Sequence, residues 1–167
     1  MKGRFVFHAC AMDSPASQDS VMLLMMVENR SIDAEIVGAS FDYWLDIGID
    51  VRDPRGSIME PEASWEPWAV REEYINFTRF ILPIRGVIGQ MLDLTCAVPD
   101  YSGITIDSCL PLYSFDEAGK YQVTIKYPSV VVCSPPCRRD DPAGVPPEQT
   151  RVRFEPVRLD IEVVATQ

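Results

Sequence analysis

The sequence predicts an all-β protein: an antiparallel architecture of about seven to nine strands joined by long Pro-rich loops. Three observations carry that reading. Nearly every apolar segment of the 167 residues either alternates with polar residues or is a short run between turn residues, and period two places alternate side chains on one face of a pleated strand. Fourteen Pro and nine Gly punctuate those segments, and both residues are costly inside helices. Helical periodicity is almost absent, with a short helix within residues 71–80 as the one candidate.

In order along the chain, residues 4–12 place Phe5, Phe7 and Ala9 on one face, and Ser14, Pro15, Ala16 and Ser17 break the strand. Residues 21–27 are apolar on both faces, as a central strand can be, and Glu28, Asn29, Arg30 and Ser31 form a polar turn. Residues 35–44 form a strand or lead-in to the next, where Leu45, Ile47, Ile49 and Val51 alternate with polar partners until Asp53, Pro54, Arg55 and Gly56 turn the chain. Residues 58–73, with Trp65, Trp68 and two Pro, read as an extended loop. Strands resume over 79–84 and 87–95, with Gly86 and Gly89 marking turns or bulges, and Ile104 and Ile106 suit a short one. Five Pro among residues 133–149 rule out a strand ladder, so that stretch is a Pro/Cys-rich loop. Val157, Leu159, Ile161 and Val163 then mark a closing strand. No internal repeat is evident, and the length suits one domain over residues 1–167.

Residues 116–127 are the most informative stretch. Tyr121, Val123, Ile125 and Tyr127 share one face, and the Asp-x-x-Gly-x-Tyr opening resembles the tyrosine corner of immunoglobulin-like β-sandwiches, whose Tyr hydroxyl bonds back to the chain before its strand. Val-Glu-Asn-Arg-Ser at 27–31, Ile-Asp-Val-Arg-Asp-Pro-Arg-Gly at 49–56 and Gly-Lys-Tyr-Gln-Val at 119–123 follow in that order. Across roughly residues 20–128, this order resembles an immunoglobulin-like module of the bacterial intracellular proteinase inhibitor family. The resemblance implies an immunoglobulin-like antiparallel sandwich with an inhibitor-like role.

Fifteen Lys and Arg against 25 Asp and Glu give a net charge of −10, which repels nucleic acid and anionic membrane surfaces. No apolar run approaches the roughly 20 residues that span a bilayer, so no membrane insertion is expected. No leader is visible, so the expectation is a soluble protein, cytoplasmic or exported after loss of a leader. Five Cys leave at least one thiol unpaired. Cys96 and Cys109 flank a Pro99–Gly103 turn and suit one local disulfide, and Cys133 and Cys137 around Ser-Pro-Pro suit another; buried free thiols fit the same positions.

Catalytic signals are sparse. His8, the sole His, forms His-x-Cys with Cys10, which puts both on one strand face, but the sequence assigns neither an orienting acid nor further ligands, so a Cys/His enzyme is the remote reading. Cys133-x-x-x-Cys137 meets zinc spacing once and needs two more ligands. P-loop, dinucleotide, nucleophile-elbow and metalloprotease motifs are absent. Neither metal, cofactor nor catalysis is therefore expected. Two loops remain as contact surfaces, one carrying Trp65 and Trp68, the other tipped by Arg138 and Arg139; Trp and Arg are favoured interface anchors. The sequence thus points to a non-catalytic protein-binding or inhibitor-like module, with a structural subunit using sheet edges and apolar surface as the alternative.

Overall fold

A computed structural model describes residues 4–38, 48–62, 79–97, 110–126, 129–133 and 149–166. These contain no helix and fourteen strands, four of them only two residues long. Residues 71–78 of the candidate helix, with Leu45, Ile47, Ile104 and Ile106, lie outside the described residues, and its last two, Arg79 and Phe80, are strand.

The first sheet is three-stranded, in the order β1 (Phe5–Ala11), β3 (Met22–Asn29), β8 (Val87–Asp93). Pairing is antiparallel throughout, from Phe5 opposite Asn29 to Ala11 opposite Leu23, and from Glu28 opposite Val87 to Met22 opposite Asp93. Because β3 sits between two strands and is apolar on both faces, Leu23, Met25 and Val27 enter the core while Met22, Leu24 and Met26 form a half-exposed outer row. The expected turn at 28–31 begins later, since β3 runs on through Asn29, which is completely buried.

The second sheet has five strands: β2 (Ala16–Ser17), β14 (Val157–Val164), β11 (Gly119–Lys126), β5 (Gly48–Arg52) and β6 (Ile58–Met59). Tyr121 stands opposite Ile161, and Val123 opposite both Leu159 and Val51, so β11 buries the face its alternation selects. Residues 16–17, expected only to break a strand, instead pair in parallel with β14. Residues 58–59, expected as loop, pair with β5.

A third sheet orders β13 (Gln149–Arg153), β12 (Ser129–Cys133), β4 (Glu35–Gly38) and β7 (Arg79–Leu82). The stretch after Cys133 therefore joins β12 to β13, a pair belonging to a different sheet from β11 and β14. A small ladder between β9 (Cys96–Ala97) and β10 (Leu110–Pro111) completes the set. Buried side chains from the three larger sheets, among them Leu23, Val37, Val51, Val123, Val132 and Ile161, make one hydrophobic cluster.

Tyr121 makes the hydrogen bond its turn predicts: the hydroxyl donates to the Glu117 carbonyl at 2.8 Å. Its ring meets Phe115 edge-on, with centroids 4.9 Å apart.

Candidate functional site

Trp65, Trp68, Arg138 and Arg139 lie outside the described residues, as do Cys109 and Cys137 and the side chains of Cys96 and Cys133. The described residues instead present a surface that strand parity defines: the outer face of β1, β3 and β8. Side chains opposite one another in an antiparallel pair share a face. Val6, His8 and Cys10 of β1 accordingly stand beside Glu28, Met26 and Leu24, which stand beside Val87, Gly89 and Met91. Val87 and Met91 are 54% and 55% exposed. Their neighbours Leu24 and Met26 are only half-buried, so the apolar stripe crosses β3 and β8 and meets His8 and Cys10 on β1.

Gly89 fits the middle of this face for a steric reason. A Cβ there would fall 2.6 Å from the Met25 carbonyl oxygen and 2.8 Å from Met26 Cγ, so only glycine lets β8 lie this close to β3. Its pairing with Met26 is regular, so of the two glycines expected at turns or bulges Gly86 sits in a turn and Gly89 in neither. Gly89 is nonetheless exposed, and with no side chain what it exposes is backbone.

The direction of that backbone follows from two bonds. Asn29 N–H donates to the Gly86 carbonyl and Leu94 N–H to the Val21 carbonyl, both at 2.9 Å. Alternate residues of an antiparallel strand point both backbone groups to the same side. Ile88, Gln90 and Leu92 therefore bond toward β3, while Val87, Gly89, Met91 and Asp93 direct N–H and C=O away from it. Among the described strands none pairs with that side of β8.

One end of the face is charged. Glu28 accepts hydrogen bonds from Arg30 Nε at 2.9 Å, His8 Nε2 at 3.2 Å and Arg85 Nη1 at 3.2 Å. The Arg30 guanidinium is the main reason that the Glu28 carboxyl is held below its ordinary pKa; His8 and Arg85 add to this and partial desolvation opposes it. Arg85 reaches Glu28 from a tight turn closed by Gly86 N–H to the Pro83 carbonyl at 2.8 Å, in which Arg85 takes φ 61°. Asn29 pins this turn: Nδ2 donates to the carbonyls of Leu82 and Asp33 at 3.0 Å and Pro83 at 3.2 Å, and Oδ1 accepts from Ser31 N–H at 2.9 Å. A second ion pair, Arg4 with Glu35, lies nearby.

Glu28 is the orienting acid that sequence reasoning did not assign to His8. Its signal was parity: an acid one step past Val27 on β3 falls on the outer face, diagonal to His8 across the ladder. A Cys–His couple also needs the sulfur within hydrogen-bond reach of the ring. Cys10 is a free, exposed cysteine, and no bond between it and His8 occurs among the described residues. Glu28, already shared with two guanidinium groups, fits a fastening role better than a base-activating one. Among the described residues no three His, Cys, Asp or Glu groups converge as metal ligands, and no helix is long and apolar enough to cross a membrane.

No protein-family model, curated protein or solved structure matches this chain.

Proposed function

We propose that the chain is a non-catalytic protein-binding β module whose contact surface is the outer face of β1, β3 and β8 together with the open side of β8. The observation that carries this reading is the apolar stripe of Val87, Met91, Leu24 and Met26 lying beside exposed backbone at Gly89. Contiguous exposed apolar surface marks interaction sites, and an open strand adds backbone hydrogen bonds that an extended partner can use. Methionines suit such a face because their flexible thioethers adapt to a partner's shape. The Glu28 cluster acts as a fixed polar margin that holds the β7–β8 turn, and hence β8, in register.

An immunoglobulin-like sandwich is the arrangement proposed for the whole, supported by the Tyr121–Glu117 bond at the start of β11. An inhibitor-like role is a narrower form of the same reading and rests on the three sequence motifs alone.

The test compares surfaces. Tagged protein is crosslinked in an extract of its own cells, alongside Val87→Lys/Met91→Lys, the deletion of residues 138–143, and Trp65→Ala/Trp68→Ala. The proposal expects a stoichiometric protein, a further copy of the chain or another, that is lost only from the double-lysine variant while its melting temperature is kept. Capture by the double-lysine variant equal to wild type, with loss in either loop variant, would transfer recognition to the loops and overturn it.

A further inference from the structure

A seven-residue edge strand displays a row of unpaired N–H and C=O groups, and natural edges are guarded by Lys, Pro, bulges or shortness. β8 has no Lys or Pro from Val87 to Asp93, and its register with β3 is unbroken. Other edges differ. Among the described strands, the five-stranded sheet ends in two-residue strands on both sides, β7 has four residues, β13 has five with Arg151 and Arg153 among them, and β1 lies beside β14.

We infer that β8 pairs antiparallel with β8 of a second copy of this chain, about a two-fold axis at Gln90, so that two three-stranded sheets become one of six strands. This inference names the occupant of the surface proposed above and rests on that reading. The backbone selects the register: the outward groups belong to Val87, Gly89, Met91 and Asp93, and only one pairing uses all four. In it Val87 stands opposite Asp93 of the second copy, and Gly89 opposite its Met91. The missing side chain at Gly89 leaves room for that methionine, and the apolar stripes of the two copies become continuous.

Charge selects the direction. Arg85, whose side chain is 73% exposed, precedes β8 and Asp93 ends it. Antiparallel pairing brings the turn that carries Arg85 to the end of β8 where Asp93 of the second copy stands, twice by symmetry, so that a guanidinium now bonded to Glu28 is shared with a second carboxylate. Parallel pairing would bring like charges together at both ends. A surface that complements itself in this way is what a two-fold dimer requires, and two-fold dimers are the commonest oligomers.

The experiment uses purified chain alone. Sedimentation velocity should show monomer converting to dimer as concentration rises to about 0.1 mM, with Met91→Lys weakening association about tenfold or more by placing two lysines diagonally across the new ladder. In wild type, residue-resolved amide exchange should slow with concentration at Val87, Gly89, Met91 and Asp93, and at no other part of β8. A monomer at every concentration overturns the inference, as does a dimer whose four amides keep exchanging at the dilute rate. In the monomer case, capture of a different protein that the double-lysine variant loses would leave the surface reading standing without a second copy.

Discussion

A single hydroxyl ties the turn before β11 to the strand itself. Tyr121 is 2% exposed, and its O–H reaches the Glu117 carbonyl four residues back, so removing the oxygen takes away a part-buried hydrogen bond between strand and turn. Tyr121→Phe should cost about 0.5–1.5 kcal/mol in urea unfolding at neutral pH, because an intramolecular hydrogen bond contributes that much net. Burial raises the Tyr121 ionisation above its ordinary value, with the carboxylates of Glu117 and Asp116 adding to it. The neutral form is thus the one that the fold favours. Its contribution is complete below the unfolded tyrosine pKa of about 10 and is lost as pH rises through the higher folded value. The stability gap between wild type and Tyr121→Phe should therefore hold from neutral pH to about pH 9 and close above about pH 10. A gap that widens in alkali would contradict the burial assigned to this side chain. The corner was legible from Asp-x-x-Gly-x-Tyr, but Asn29 was not: read as turn, it is a completely buried amide spent on four backbone groups, a role fixed by the distant β7–β8 turn.

β8 shows what an element needs in order to sit at an open edge. Gly89→Ala should destabilise the fold by about 1–3 kcal/mol, toward the upper end, because the wall its Cβ would strike is the Met25 backbone and not only a movable side chain. A thermal scan in which Gly89→Ala melts with wild type would show that β8 stands further from β3 than the ladder implies. Long alternating strands were legible, since Val123 and Ile125 of β11 and Ile161 and Val163 of β14 are buried on the faces their parity selects. So was the two-faced character of β3, whose central place between β1 and β8 explains an uninterrupted apolar run. The two-residue strands β2, β6, β9 and β10 were not, because a pair of residues has no period to read. β12 was hidden for a related reason: Val130, Val131 and Val132 run on without alternation into the Pro-rich stretch.

Across the whole molecule the charge of −10 is unevenly used, with two guanidinium groups, Arg30 and Arg85, gathered around Glu28 at one end of the outer face. The sequence directed attention to Trp and Arg loops, whereas the surface open in the described residues is a sheet. That surface could be found only through register, because half-exposed methionines on a central strand look like core until their partners on β1 and β8 are known. The measurement that bears most directly on it is native-state amide exchange of dilute, purified protein, resolved residue by residue along β8. An open β8 edge predicts alternation: rapid exchange at Val87, Gly89, Met91 and Asp93, and slow exchange at Ile88, Gln90 and Leu92, whose N–H groups bond to β3. Uniform slow exchange from Val87 to Asp93 in the monomer would mean that the chain itself covers this edge, and would contradict the binding surface proposed for it.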